Sequence, residues 1–475
     1  MAGQGMSRRE FVNDVSGAAA LGAGGLGLLK GSGVHAAEQA HGKRTDSTIR
    51  VSYDVVVVGG GMAGMTAALA AAQNGAKALL VERHPYCGGA FTAGMVIHMC
   101  GLVDHRRIHG TDELTLNPAK WIVQGLACEY HKRLAEFGAA HGPQWDHEAA
   151  KIVFDRMLEQ YGVDVLYGTQ FHTAKVSGDR IESVELYYRT VKIIVAGKTF
   201  VDGSGEGDLG AAAGVEFHVG RECDGRMQPA TLSYMVADVT PGTGESLNKI
   251  LRQAWKDGKI PKDMRPAVIG PRYAEGKKRN ELWCSLVRQW GNFCDPIEYS
   301  RMERRGRAIG WEIFRYLKAN TKALSDAYLS SIGQQLWPRE GRRMKADYTL
   351  TADDVRHEAR FDDAVARGAF YLDLHSVTPG TIGWDLDEHR PKKDTYFEIP
   401  YRSLIPAGME NLLLAGRMLG ADHEAYSATR VMGTGIATGQ AAGTAAALAV
   451  KNRQATREVA IDQLQKTLRS QGVAM

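Results

Sequence analysis

Residues 53–94 read YDVVVVGGGMAGMTAALAAAQNGAKALLVERHPYCGGAFTAG, and their order leaves this chain few folds to choose from. Residues 55–58 are an unbroken β-branched run, the mark of a strand covered on both faces. Residues 62–74 are rich in Ala, Met and Leu and predict a helix. Between them Gly59, Gly61 and Gly64 stand in G-x-G-x-x-G spacing. The first allows a tight turn, the second lets a pyrophosphate reach the backbone, and the third lets the helix lie on the strand. A second strand over 77–81 ends in Glu82, whose carboxylate can accept hydrogen bonds from a ribose. Free N–H groups at the helix start suit phosphate charge. Strand, turn, helix, strand and acid arrive in the order that a dinucleotide site needs.

A chain of 475 residues exceeds the usual single core, so two domains or one elaborated α/β domain are expected. An apolar fraction of 44% is ordinary for a globular protein, and a net charge of +4 is too small and scattered to imply nucleic acid. The first 36 residues differ in kind. Arg8-Arg9 within SRREFV precedes a Gly-rich apolar run over 15–29, and small residues follow up to Ala36. That order predicts a twin-arginine signal peptide over 1–36, export to the periplasm or beyond, and no membrane span after cleavage. Six cysteines form no C-x-x-C, so no metal site is expected; Cys87, beside Gly88-Gly89, falls nearest the dinucleotide loop.

Taken in order, residues 37–50 are polar and aperiodic and read as a linker. Residues 51–214 form the first part of the nucleotide-binding domain. Within it, helices are expected over 118–137 and 146–161, a short strand over 163–167, and inserted antiparallel strands over 174–177, 180–188 and 190–194. A buried strand over 200–202 ends in Asp202 and a Gly-rich turn. Residues 215–396 hold six of the eight tryptophans and many charges, which fits an inserted α+β substrate or cap domain; residues 369–375 partly alternate there like a short strand. Residues 397–452 return to the first domain through FEIPYRSLIP, the buried strand NLLLA at 411–415, and a small-residue helix over 433–450. Residues 453–475 are a helical tail.

Three separated blocks resemble one family, the bacterial FAD-dependent oxidoreductases of the glutathione-reductase-like superfamily. They are the Gly59–Gly64 fingerprint with Glu82-Arg83 and Gly88-Gly89; FVDGSGEGDLGAAAG at 200–214; and the segment from Leu412 to Ala449 containing LLLAGRMLGADHEAYSATR. The second block departs from the family's Asp-x-Thr-Gly-Asp-Gly-Asp-Leu at Ser204 and Glu206. The resemblance implies an α/β, Rossmann-like FAD-binding domain of glutathione-reductase type with a cap domain inserted. It implies that Gly59, Gly61, Ala63, Gly64, Glu82 and Arg83 hold the ADP half of FAD, with Gly88 and Gly89 near the pyrophosphate. Asp202, Ser204 and Gly205 then lie near the nucleotide, and Gly416, Arg417, Thr434 and Gly435 border the flavin. No histidine lies in the 88–94 loop, so non-covalent FAD is expected.

Flavin carries hydride, and a substrate that loses hydride usually loses a proton as well, so a base near the flavin is expected. His423 and Tyr426 are the first candidates, with His98 and His375 next. Arg339, Arg342, Arg343 and Arg430 are candidates to clamp a carboxylate, for which the guanidinium fork is matched. One G-x-G-x-x-G follows a strand, so electrons are expected to pass between a small organic substrate and an external partner: a quinone, a cytochrome or oxygen. The expectation is an exported FAD-dependent dehydrogenase or reductase. Alternatives are a fumarate-reductase-like reductase of activated C=C bonds, and a non-catalytic flavoprotein acting in electron transfer or assembly. Substrate, direction of transfer and oligomeric state are not encoded legibly.

Overall fold

The computed structural model describes residues 48–104, 112–240, 242–260, 269–274, 277–379 and 394–475. The expected signal segment and residues 37–47 of the expected linker lie outside the described residues. Residues 49 and 50 are not linker: β1 runs Ile49–Val58, because Ile49 and Arg50 pair with Ile193 and Ile194 of a later strand.

β1 is followed by α1 (Met62–Gln73), β2 (Ala78–Val81), α2 (Leu126–Glu136), α3 (His147–Tyr161) and β3 (Asp164–Leu166). A meander of β4 (Gln170–Ser177), β5 (Arg180–Tyr188) and β6 (Val191–Asp202) comes next. The strand order is β3-β2-β1-β6-β5-β4. The alternate residues of β1 bury on opposite faces, Val55 and Val57 in one apolar cluster and Val56 and Val58 in another, so the sheet is covered on both sides. The expected helix over 118–137 is shorter. Gly125, at φ 70, packs its Cα against Gln440, whose Oε1 accepts from Leu126 N at 2.9 Å, and α2 begins only there. The strands expected over 190–194 and 200–202 are one continuous strand. Its early residues, 191–196, pair antiparallel with β5, while residues 193–202 run parallel to β1.

A second layer is antiparallel: β7 (Ala230–Ala237), β8 (Ile269–Ala274), β9 (Lys277–Gln289) and, after α4 (Pro296–Asn320), β10 (Tyr328–Ile332), in the order β8-β9-β7-β10. α4 starts where Asp295 accepts from Ile297 N and Glu298 N with Pro296 in the first turn. Its Gly306 and Gly310 let it lie close over Leu232 and Tyr234 of β7. The strand near residue 370 is displaced from expectation. β11 spans Ala364–Gly368 and pairs with β12 (Phe397–Pro400), whereas 369–375 belongs to no strand because its polar side chains turn to partners described below.

The chain returns to the main sheet as β13 (Leu412–Leu414), parallel to β6, then passes through α5 (His423–Thr429) into α6 (Met432–Asn452). Every residue from Gly433 to Ala449 is buried. A Cβ at Gly439 would collide with the Ala63 carbonyl and one at Gly443 with the Ala67 carbonyl, so α6 lies directly on α1. Among the described residues no helix is long and apolar enough to cross a membrane.

The register places the site. Val58 pairs with Val81 and with Asp202, Asp202 with Leu414, and Val81 with Leu166. Five parallel strands therefore end at one level, and the loops that follow them open on the same side, where α/β sheets bind ligands.

Candidate functional site

At that edge lies a cavity of about 780 Å³. Its lining includes the loops after β1 (Gly59, Gly61), β2 (Glu82, Arg83), β6 (Gly203 to Glu206) and β13 (Gly416, Arg417), together with residues of the antiparallel layer.

The loops brace one another. Gly59 has φ 97, and any side chain there would strike Gly203 and Ser204, so the first and second glycine turns lie in contact. Gly60 N donates to Glu82 Oε2 at 2.6 Å and His84 N to Oε1 at 2.7 Å, which fixes the acid at the end of β2. Gly61, in contrast, has only the Gly203 carbonyl within 4 Å of where a Cβ would sit, at 3.9 Å. That open flank lets a ligand come against the backbone. Asp202 is fully buried and organises the second turn: it accepts from Ser204 N at 3.0 Å, Ser204 Oγ at 2.7 Å and Gly210 N at 2.8 Å. Burial holds its carboxyl above the usual range in spite of those donors. Arg417 joins three segments by donating to the Gly205 and Pro338 carbonyls and to Glu206 Oε1.

Two helix N-termini open into this space. α1 begins after Gly61 and α6 after Val431, neither has a side-chain cap or an acidic residue in its first turn, and Met62, Ala63, Met432 and Gly435 line the cavity. Each carries the partial positive charge of a helix start, although in α6 one first-turn donor, Gly433 N, is already engaged by the Cys100 carbonyl at 2.8 Å. These features fit FAD. The pyrophosphate matches α1 with the open flank of Gly61, the ribose matches Glu82, and the negative pyrimidine edge of a reduced flavin matches α6.

Beyond α6 the lining changes to a dense polar cluster. Asp373 Oδ2 accepts from Arg430 Nη2 at 2.8 Å and lies 3.1 Å from His375 Nε2, and Oδ1 accepts from Tyr371 Oη at 3.2 Å. His375 Nδ1 lies 3.1 Å from Arg288 Nη1. A guanidinium has no acceptor, so Nδ1 carries the lone pair and the proton sits on Nε2, facing Asp373. Burial, with Arg339 and Arg288 nearby, pushes the imidazole well below its ordinary pKa against the pull of Asp373, and His375 is neutral. Burial would raise Asp373, but His375 and the guanidiniums of Arg430 and Arg339 hold it well below the usual carboxylate range, and it is ionised. Arg339 donates to Pro229 O at 2.8 Å and Thr231 Oγ1 at 2.7 Å, and stacks 4.3 Å from the Trp337 ring centre.

Most sequence-predicted residues meet here. Gly59, Gly61, Ala63, Glu82, Arg83, Gly88, Gly89, Ser204, Gly205, Gly416, Arg417 and Gly435 line the cavity, as do Arg339, His375, Arg430 and His98. Gly64, Asp202 and Thr434 do not; they pack behind it. Neither do His423 and Tyr426. His423 Nδ1 lies 2.8 Å from Glu340 Oε1, in a buried group where Arg343 also donates to Glu340, at 2.5 Å. Tyr426 is wholly buried. Arg342 also lines the cavity, where it donates to Glu206 O and Asp208 Oδ1 at 2.9 Å each. Cys87 is buried against Tyr167, while Cys100 and Cys294 line the cavity instead.

Sequence reasoning passed over Asp373, Arg288, Tyr371 and Gln228. Gln228 connects the two polar groups: its N donates to Glu340 Oε2 at 2.9 Å, and its Oε1 accepts from His375 N at 3.2 Å. Asp373 lay in a segment read as a strand, and Arg288 and Gln228 sit in no motif.

A parallel sheet with glycine loops at its carboxyl edge, two uncapped helices and a polar pocket beyond them defines a nucleotide-cofactor enzyme of the α/β class. The family model described as FAD dependent oxidoreductase matches residues 54–468, and the chain belongs to that family. It is an enzyme, and its cofactor is FAD. No curated protein sequence matches it. Among solved structures it is similar to a geranylgeranyl bacteriochlorophyll reductase-like protein from Thermoplasma acidophilum, at 14% identity and a TM-score of 0.43 over 89% of this chain and 84% of that one. It is also similar to p-nitrophenol 4-monooxygenase from Pseudomonas putida, at 12% identity and a TM-score of 0.42, covering 89% and 85%.

Proposed function

We propose that this protein is an exported FAD-dependent dehydrogenase or reductase of glutathione-reductase type. It transfers hydride between a small organic substrate and non-covalently held FAD, and exchanges electrons with an external quinone, cytochrome or oxygen. The reading rests on one juxtaposition: the cavity bordered by both helix N-termini continues directly into the Asp373–His375–Arg430 cluster. The antiparallel layer would then cover the substrate.

Bound FAD supplies the hydride chemistry. In this reading Gly59, Gly61, Ala63, Glu82 and Arg83 hold its ADP half. Gly88, Gly89, Ser204 and Gly205 flank the pyrophosphate, and Gly416, Arg417 and Gly435 border the flavin. Gly64, Asp202 and Thr434 support those loops from behind. Arg339 and Arg430 orient the substrate. His375 Nδ1 is the basic lone pair of the cluster, and a substrate hydroxyl reaches it by taking the place of Arg288 Nη1. The proton on Nε2 meanwhile stays hydrogen-bonded to ionised Asp373, which steadies the imidazole as it gains charge. His423 and Tyr426, away from the cavity, have a supporting part.

A second reading, reduction of an activated C=C bond, is favoured by the concentration of guanidiniums, which can neutralise charge developing on a substrate. Anaerobic mixing of the holoenzyme with candidate substrates tests the proposal. The expected result is bleaching of the flavin by one class, and its return on adding a quinone, cytochrome or oxygen. Purification from a flavin-replete host without flavin absorption would overturn it. For export, replacing Arg8 and Arg9 by Lys is expected to retain the chain uncleaved in the cytoplasm, and cleavage unaffected by that change would refute the twin-arginine assignment.

A further inference from the structure

α4 presents two unlike faces. Met302, Gly306, Gly310, Ile313 and Leu317 are buried against the antiparallel layer, with Gly306 over Leu232 and Gly310 over Tyr234. On the other side Ile297, Arg301, Arg304, Ala308, Trp311 and Arg315 recur at alternating steps of four and three residues. That spacing keeps them on one stripe, and all six are exposed. Ile297 is 63% exposed and Trp311 48%.

The charge of that stripe is largely uncancelled. Arg301 and Arg304 meet no acid among the described residues, and Arg315 reaches Glu312 only at 3.5 Å. The other acids of the helix are engaged elsewhere. Glu303 turns inward to accept from Tyr299 Oη, Arg307 Nη1 and Leu336 N, and Glu298 accepts from Asn292 N. The stripe is about 27 Å long at about 1.5 Å per residue, and about 10 Å wide. That falls well short of the roughly 800 Å² that each partner brings to a specific protein interface. A lipid surface asks for no matched shape. Cations gain there from anionic headgroups, while tryptophan and isoleucine gain from the interfacial layer.

We propose that the outer face of α4 docks on an anionic lipid surface, with Arg301, Arg304 and Arg315 at headgroup phosphates and Ile297 and Trp311 in the interfacial layer. Pro296 and Tyr299 in the first turn of the helix line the cavity, and Glu303 ties the helix to Leu336, which lines it as well. Docking therefore sets the cavity beside the bilayer. Resting on the reading of that cavity as the FAD site, the external electron partner is then the one of the three that dissolves in lipid, a quinone. It becomes the hydroquinone by taking two electrons from reduced flavin and two protons from flavin and water.

Co-sedimentation of the holoenzyme with vesicles tests the docking. Binding to an equimolar mixture of phosphatidylglycerol and phosphatidylcholine is expected to be roughly 100-fold tighter than to phosphatidylcholine alone, and to weaken as salt rises. Arg301→Glu combined with Arg304→Glu should remove most of that preference. Trp311→Ala should weaken binding several-fold, and all these variants should keep their flavin. Without oxygen, chemically reduced holoenzyme should be reoxidised faster by quinone embedded in the anionic vesicles than in the neutral ones, and the double variant should lose that advantage. Equal binding to both vesicles, or a double variant that binds like the unaltered protein, would overturn the docking. Polyglutamate or duplex DNA held as tightly as the anionic vesicles, with no loss in Trp311→Ala, would also overturn it and make an acidic macromolecule the partner. Equal reoxidation on both vesicles would overturn the quinone assignment. Protein without flavin would overturn the cofactor reading and the quinone with it, whereas vesicle binding by that apoprotein would sustain the docking.

Discussion

Arg288 Nη1 lies 3.1 Å from His375 Nδ1, and this single contact fixes the tautomer and charge of the histidine. Because Arg288 can only donate, the ring cannot carry a second proton while the contact lasts.

That has a consequence for stability. In the folded protein the pKa of His375 is driven down, first by burial and then by Arg339 and Arg288, with Asp373 opposing. In the unfolded chain it titrates near 6.5. Below that pH the unfolded state binds the extra proton and the folded state does not, so stability is complete above about pH 6.5 and falls as pH drops. The slope contributed is up to about 1.4 kcal/mol per pH unit. Asp373, with its pKa held low, adds a loss of the same sign at lower pH. Denaturant unfolding between pH 5 and 8 should show the slope, and His375→Gln should reduce it by about one proton. An unchanged slope in that variant would show that His375 is not held neutral.

Glu340 and His423 should separate from the chemistry. Glu340 is fully buried and meets His423, Arg343 and Gln228 N together. Glu340→Ala strands the Arg343 charge, and a loss of about 3–5 kcal/mol is expected in chemical unfolding. His423→Asn should cost roughly 1–3 kcal/mol through the lost buried hydrogen bond. Once substrate is known, His423→Asn should slow flavin reduction far less than His375→Asn does in rapid mixing. Equal slowing would restore His423 as the base.

The contact between α6 and α1 is a matter of backbone against backbone. Gly443→Val would drive a branched side chain into the Ala67 carbonyl, where neither helix can yield cheaply. A cost of about 3 kcal/mol or more is expected, above the usual range for overpacking because the obstacle is main chain. A fall in Tm in both apo and holo forms would confirm this; an unchanged Tm would mean that the helices stand farther apart.

Gly59→Ala tests the cofactor loop. Positive φ and the neighbouring Gly203 and Ser204 both oppose a side chain, so the turn must shift. The flavin-to-protein ratio after purification should fall well below that of the unaltered protein. Full retention would remove the loop from the binding site.

Much of the fold was legible because its signals are local. A β-branched run, a glycine spacing and an alanine-rich helix depend on neighbours within a few residues, and β1, α1 and β2 fall where the sequence puts them. Boundaries moved where distant partners intervene. α2 waits for Gly125 against Gln440, β1 extends to meet Ile193, and 369–375 gives up a ladder so that Asp373 and His375 can meet Arg430 and Arg288.

The sequence by itself pointed to the nucleotide-binding frame, since strand, glycine turn, helix, second strand and acid follow one another with the three glycines each at the position where a side chain would be in the way. It also nominated Arg339, His375 and Arg430 by residue type. Only the tertiary structure decided that these three share a cavity while His423 is held by Glu340, and that Arg288 and Asp373 belong beside them. The physical reason is separation along the chain. Their distances are set by how β9, the end of α5 and the 369–375 segment converge, and no local pattern in the sequence records that convergence.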